Sequence, residues 1–323
     1  MIIRRLQLFS MAVLFATSVA AAADFPSHPV RIIVPYSPGG VNDLVARISA
    51  DGLRQRIGQP VVVENRPGGD GIIGVEATVK ADADGHTLVI MPGASLVTLP
   101  ILKKNVPFDP LRDLSPVTIL FKYGQFIAVN AELPVKNLQE LIAYAKANPG
   151  KLNRGTVGTG SLLNEVMIER ALGIQGLVTS IPYKGSALKM QALMTNEIQL
   201  GAVDSLLALP AVKAGKIRVL AATTLTRQPP FADAPTIAET ESPGFEVTSV
   251  FGFLAPARTP PEILRRLSGE FAALVKSGPL NDYITSKIAA TPVGSTPEEF
   301  LQWLRADFAR EREAAQIAKI QPE

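Results

Sequence analysis

The sequence predicts an α/β fold divided into two domains, each a mostly parallel sheet flanked by helices. Three observations point there. Short, continuously apolar runs alternate with helical patterns along the chain, as when helices cover both faces of a parallel sheet. The chain has 323 residues, 47% of them hydrophobic, enough for two domains of about 100–200 residues each. Its 25 glycines and 26 prolines exceed the usual share of about 12% for the two together, so many tight loops join the elements.

The amino terminus predicts a secretory leader over residues 1–23. Arg4 and Arg5 precede an apolar run from Leu6 to Val19, followed by Ala20 to Ala23, the order of a cleavable signal peptide. The run is shorter than the ~18 residues of a membrane span. Cleavage after Ala23 leaves a mature chain of 300 residues starting at Asp24, with a periplasmic destination. The chain contains no cysteine, so disulfides, thiolate metal sites and a lipidated cysteine are excluded. The full chain carries 32 Lys and Arg against 29 Asp and Glu, and loss of Arg4 and Arg5 makes this 30 against 29. Without a basic run, that near-balance argues against nucleic acid as a partner.

The first α/β set reads as a strand from Val30 to Tyr36, a helix from Asn42 to Ile57, a strand from Val61 to Glu64, a helix after Gly74 and a strand from Thr87 to Met91. A second set follows with Phe126 to Val129, a helix from Leu138 to Ala147 and a strand before Gly158. It continues with a helix from Leu162 to Leu172 and strands at Val178 to Ile181 and Ile217 to Thr223. Asn137 with Glu140 caps one helix, and Asn148-Pro149-Gly150 stops it. The polar, proline-rich stretch from Thr226 to Gly244 marks a surface excursion and a boundary before a strand at Val247 to Leu254. Thr259-Pro260-Pro261-Glu262 and Thr296-Pro297-Glu298-Glu299 each open a helix. Ile263, Leu264, Leu267, Phe271 and Leu274, and then Phe300, Leu301, Leu304 and Phe308, form their apolar stripes.

Three glycine loops carry the candidate site. Tyr36-Ser37-Pro38-Gly39-Gly40 and Arg66-Pro67-Gly68-Gly69 both leave an apolar strand and enter a helix, and Gly158-Thr159-Gly160-Ser161 repeats the design in the second half. Glycine lets backbone N–H groups face outward, and the following helix adds unpaired N–H groups and the positive end of its dipole. Loops at the carboxyl ends of strands converge on a cleft, so an anion held between the halves is expected. Asp43, in the first helical turn, reads as a structural acid that complements the helix dipole.

Other chemistries find less support. Gly69-x-Gly71-x-x-Gly74 matches the dinucleotide fingerprint, but Asn65 to Gly68 separate strand from first glycine, and no cofactor is expected. The two histidines, His28 and His86, stand apart in sequence, so neither a hydrolytic triad nor a dedicated transition-metal site is read there.

In combination and order, several segments resemble the Bug receptors, extracytoplasmic solute-binding proteins of tripartite tricarboxylate transporters. They are Ile33-Val34-Pro35-Tyr36-Ser37-Pro38-Gly39-Gly40 with Asp43 and Arg47, Val63-Glu64-Asn65-Arg66-Pro67-Gly68, and Asp84-Gly85-His86-Thr87-Leu88. Further along come Pro182-Tyr183-Lys184-Gly185, Ala214-Gly215-Lys216 to Leu220-Ala221, and Pro235-Thr236-Ile237-Ala238-Glu239.

The resemblance implies a two-lobed, periplasmic-binding-protein-like fold with crossing strands as hinge. Residues 24–122 and 247–323 would form the first lobe and 123–246 the second. It implies a non-enzymatic monomer that closes on a small organic carboxylate and presents it to membrane permease subunits, with no cofactor and no metal. A receptor docking on a membrane signalling protein is the alternative left open.

By the same resemblance the carboxylate meets Tyr36, Ser37, Pro38, Gly39, Gly40 and Asn42, and the second loop Gly68, Gly69, Asp70, Gly71 and Ile72. From the other lobe come Gly158, Thr159, Gly160 and Ser161, Tyr183 and Lys184, and Asp204 with Ser205. Ile72, Asn164 and Gln199 depart from the family's usual polar, histidine and acidic residues. Ile72 would favour a monocarboxylate, or an aromatic or longer aliphatic acid, over a citrate-like ligand.

Overall fold

The computed structural model describes residues 25–183, 185–288, 290–320 and 322. The expected leader over 1–23 and the expected site residue Lys184 lie outside these described residues.

The first half begins with β1 (Val30–Val34), α1 (Val41–Ile57), β2 (Val61–Asn65), α2 (Ile72–Val79) and β3 (Thr87–Pro92). Helix α1 ends where Gly58 turns left-handed (φ 70°) and its N–H closes on the Arg54 carbonyl, the usual glycine stop. Next come α3 (Gly93–Leu102) and the long strand β4 (Leu114–Gly124). The second half holds β5 (Phe126–Asn130), α4 (Leu138–Ala147), β6 (Leu152–Thr156), α5 (Gly158–Ala171), β7 (Val178–Pro182), α6 (Ser186–Met194), β8 (Leu200–Val203), α7 (Ser205–Lys213) and β9 (Ile217–Ala222). The chain then returns through β10 (Thr248–Pro256), α8 (Pro261–Lys276), β11 (Thr291–Pro292) and α9 (Pro297–Ile317). Asn137 caps α4 by accepting the Glu140 N–H, and Thr296 with Glu299 forms a reciprocal capping box on α9.

Two sheets result, ordered β11-β4-β10-β3-β1-β2 and β7-β6-β8-β5-β9. In the first, β2, β1, β3 and β4 share one direction, while β10 and β11 oppose it. In the second, β7, β6, β8 and β9 run together, with β5 against them. In each sheet a strand entering from the other half, β10 or β5, runs against the parallel set. The chain leaves one sheet at the carboxyl ends of its strands and enters the other from the end facing it. Both sheets therefore turn their carboxyl ends, and the loops there, toward one another, as the glycine loops require.

The crossover is tight. A Cβ on Gly124 would stand 2.4 Å from Thr224 Cγ2 and 3.0 Å from Thr223 Oγ1, so only glycine lets the outgoing and returning strands pass this closely. The buried Thr223 hydroxyl accepts the Gln125 N–H and donates to the Val247 carbonyl, stitching the two crossings together.

Each sheet buries apolar residues on both faces. Ile32, Leu88, Phe253 and Phe271 fill one side of the first sheet and Val89, Met91, Leu96 and Phe300 the other. Clusters around Val129 and Leu141 and around Phe126 and Met190 flank the second. Helix α9 spans both halves, where Ala314 and Ala315 pack on Leu163 of α5 and Arg170 pairs with Glu313.

The structure adds elements that the sequence pattern hid. Helices α3 and α7 contain Pro100 and Pro210, which mask helical periodicity, and Pro116 does the same for β4. The helix expected from Leu162 starts earlier, at Gly158, so most of the third glycine loop is its first turn.

Candidate functional site

Between the sheets lies a cavity of about 280 Å³, lined by Ser95 and Thr98 of α3, Tyr123 and Gln125 of the first crossing, Ser161 and Asn164 of α5, Asp204, Ser249 and Glu311. A second, of about 300 Å³, shares Tyr123, Gly124 and Asp204 and extends to Asn42, Ser205 and Lys287. Asp204 and Tyr123 thus stand where the two meet.

The first glycine loop is held by a polar knot beneath it. The buried Asp43 carboxylate accepts from the Gly39 N–H at 3.0 Å, from Arg47 at 2.9 and 3.1 Å, and from Asn65 Nδ2 at 3.0 Å. Asn65 Nδ2 also donates to the Tyr36 carbonyl at 3.1 Å, binding the end of β2 to the end of β1. Hydrogen bonds from Arg47 hold the Asp43 carboxyl down at about 2 against the cost of burial, so it is ionised throughout the physiological range. Asp43 is structural, as its place in the first turn suggested. The Gly39 N–H (φ 87°) is committed inward, so an anion would meet the amides after it. The first helical hydrogen bond runs from the Leu44 N–H to the Gly40 carbonyl, and the amides before it are the ones that helix starts leave open.

The second loop has four successive residues with positive φ, Gly68, Gly69, Asp70 and Gly71 (127°, 57°, 56° and 102°). Aspartate tolerates that region better than most side chains, and Asp70 pairs with Lys103 at 2.5 Å. A Cβ on Gly74 would lie 2.6 Å from Pro35 Cβ, so the third glycine of the fingerprint-like triplet serves helix-on-strand packing. Ile72 is half-buried and packs on the cluster around Met91 and Leu96.

The Tyr36 hydroxyl joins these loops to the cavity. It stands close to Ser95 and is pushed up by burial, with Asp70 adding to the rise. Tyr123, close to Ser249, is pushed up to about 12 by burial and then by Asp204.

On the opposite side, Ser161 accepts the Val157 N–H at 3.2 Å and donates to Glu165 Oε1 at 3.2 Å. Glu165 and Glu169 flank Arg154 in the interior, with Lys189 3.9 Å from Glu165 and bonded to the Ala202 carbonyl at 2.7 Å. Burial raises both glutamates and lowers Lys189. Asp204 accepts from Gln125 Nε2 at 3.4 Å.

Of the expected site residues, Asn42, Ser161, Asp204 and Ser205 line these cavities, and Tyr36 stands close to Ser95 of the first without lining it. Ser37, Pro38, Gly39, Gly40, Gly68, Gly69 and Asp70 are exposed on their loops, and Gly71 is buried against Tyr36. The backbone of Gly158, Thr159 and Gly160 forms the first turn of α5. Tyr183 is not brought to either cavity. Its hydroxyl is bonded to Glu197 at 2.6 Å and pushed up to about 12 by burial and then by that acid.

Sequence reasoning missed Ser95, Thr98, Tyr123, Gln125, Ser249 and Glu311. Glu311 left a signal, because it continues the helical stripe of Phe300, Leu304 and Phe308 and is an acid on a buried face. It is 2% exposed and pushed up to about 7 by burial and then by neighbouring Asp307, itself at about 6. Asp204 and Glu311 are the charged residues of the first cavity, which has no lysine or arginine among its described lining.

Two α/β halves joined by crossing strands, with strand-end loops facing across a cavity, define a two-lobed solute-binding protein. The family model described as tripartite tricarboxylate transporter family receptor matches residues 45–317. The chain belongs to that family. It is 32% identical to Protein BugT of Bordetella pertussis over 294 residues, 90% of this chain and 89% of that one. Among solved structures, it is similar to an R. palustris protein with adipate (33% identity, TM-score 0.71, 93% and 100% of the chains covered). It is also similar to MatC from Rhodopseudomonas palustris with bound malate (26%, TM-score 0.65, 90% and 99%). Among the described residues, no helix is long and apolar enough to cross a membrane.

Proposed function

We propose that this chain is a periplasmic receptor that captures a small carboxylate-bearing solute between its lobes and delivers it to the membrane subunits of a tripartite tricarboxylate-type transporter. The moving bodies are residues 24–122 with 247–323, and 123–246, and the receptor works as a monomer without catalysis. One observation carries the reading: both sheets turn the carboxyl ends of their parallel strands toward one another, and the cavity between them is lined from both halves, by Ser95 and Thr98 on one side and Ser161, Asn164 and Asp204 on the other. The adipate and malate in similar structures support a carboxylate.

In this reading the carboxylate of the solute lies against the amides that open α1 and α2, with the α5 turn closing over it. A helix start gives an anion about 0.3–1 kcal/mol, up to ~2 when partly buried, and each hydrogen bond to a charged group about 1.5–3. Several together reach the roughly −8 kcal/mol of micromolar binding after the cost of association. The far end of the solute meets Asp204 and Glu311, which favour a hydroxyl or amine donor there over a second carboxylate. Ile72, packed on the core cluster, contributes its exposed edge and favours an acid less polar than citrate.

Thermal unfolding against a panel of carboxylates tests this. A solute at 100 times its Kd stabilises by about 2.7 kcal/mol, a rise of several degrees for lobes of this size. A panel of mono-, di- and hydroxycarboxylates and amino acids that leaves the transition unmoved defeats the proposal.

A further inference from the structure

His28 and His86 are the two histidines of the chain, and the fold brings them together with their ring centroids 3.6 Å apart. Asp84 completes the group: its Oδ1 lies 3.3 Å from His86 Nδ1 and its Oδ2 3.8 Å from His28 Nε2. We propose that His28, Asp84 and His86 bind one divalent transition-metal ion of the zinc class.

The three residues offer ligand atoms all within 4.8 Å of one another. Tetrahedral ligands about 2.0–2.2 Å from zinc stand roughly 3.3–3.6 Å apart, so small side-chain movements close the set. His28, with a side chain 54% exposed, is free to make them. His86 is the preorganised member: it is 8% exposed, and its Nδ1 is buried without a well-formed hydrogen bond. The backbone N–H of His86 donates to Asp84 Oδ1 at 2.9 Å, and Phe25 packs edge-on against the ring. Gly85 makes the turn possible at φ 84°, since a Cβ there would lie 2.4 Å from Ile263.

The surroundings suit a cation. The site opens into a surface hollow of about 470 Å³ that also carries Asp82, Arg31 and Lys80. Arg31 is paired with Glu64 at 3.4 Å and Lys80 with Glu76 at 2.6 Å, which leaves the Asp82 and Asp84 charges to face an ion. Two imidazoles and one carboxylate select zinc, copper or nickel over calcium or magnesium, and the open hollow leaves room for water as a fourth ligand. The Ser27 N–H now donates to His86 Nε2 at 3.1 Å. Metal on Nδ1 requires the ring proton on Nε2, so loading releases the Ser27 amide and re-seats the segment before β1. His28 precedes β1 and His86 precedes β3, at the amino ends of strands whose carboxyl ends carry the solute loops. The ion would therefore tie the entry segment to the β3 turn without touching the cleft.

The test uses tag-free, chelator-stripped mature protein titrated with zinc chloride in a calorimeter, with NMR of the imidazoles and the Ser27 amide. One ion per chain is expected, with both imidazole signals and the Ser27 amide shifting. The exposed variant His28→Gln, which leaves the buried ring in place, should weaken zinc by about 10-fold or more, and Asp84→Asn likewise. Equal zinc affinity in His28→Gln and the parent chain overturns the proposal. So do imidazole signals that stay still while zinc binds, no zinc binding at all, or calcium producing the same shifts.

Discussion

The knot under the first glycine loop and the buried cluster behind the α5 loop use the same side-chain types in opposite ways. At Asp43, hydrogen bonds from Arg47, Gly39 and Asn65 outweigh burial and hold the carboxyl down at about 2. At Glu165 and Glu169, burial outweighs Arg154 and pushes both upward. The difference is access to water. Arg47 has a side chain 51% exposed, whereas that of Arg154 is 6% exposed, so one guanidinium keeps its hydration while the other loses it. A knot of the first kind clamps a loop, and a cluster of the second kind makes the loop's position depend on a fully satisfied interior.

The largest effect is expected from Arg154→Met, which strands two buried carboxyls. A loss of about 3–5 kcal/mol is expected, read as a large fall in Tm. Adding Glu169→Gln, while keeping Glu165 for Lys189, should recover much of it. No recovery would mean that Arg154 acts through packing alone.

Asp43→Asn should cost less, about 1–3 kcal/mol, because water can reach Arg47. The more telling readout is solute affinity, which should fall as the Gly39 loop loosens. Unchanged affinity would remove Asp43 from the site's support.

Glu311 and Asp307 extend the comparison to pH. Their folded pKa values, about 7 and 6, lie above the ordinary 4.5 and 3.8, so the folded protein binds protons more tightly than the unfolded chain. Their contribution to stability is present below pH ~4 and is lost as pH rises through about 6 to 7. The protein should thus unfold at a higher temperature at pH 5 than at pH 8, and Glu311→Gln should flatten that slope. Asp43 has the opposite sign, since its contribution is present above about 3.8 and lost as pH falls toward 2.

The smallest effect belongs to the exposed pair Arg170–Glu313, whose side chains are about half exposed. Arg170→Ala should shift stability by about 1 kcal/mol or less. A larger loss would show that the α5–α9 contact depends on charge beyond the packing of Leu163 on Ala314.

Much of the fold was legible because it is written locally. Apolar runs, the Asn137 and Thr296 caps and the glycine loops act over a few residues, and each appears in the structure close to where its pattern placed it. Helices α3 and α7 were hidden because internal prolines break the period that reveals a helix.

The site was legible in part for the same reason. Asn42, Ser161, Asp204 and Ser205 sit at strand or helix ends that local chemistry announces. Tyr123 and Glu311 lie inside a strand and a helix, and they face the cavity only because β4 crosses between sheets and α9 folds back across both halves.

The alternation of elements, the places of the glycine loops and the family were all readable from residue order. Only the tertiary structure decided that Gly39 spends its amide on Asp43, that Glu311 faces the same space as Asp204, and that two histidines distant in the chain meet. The reason is physical. Propensity and capping depend on near neighbours, whereas burial, pKa and side-chain encounter depend on which surfaces the chain excludes from water after distant segments have packed.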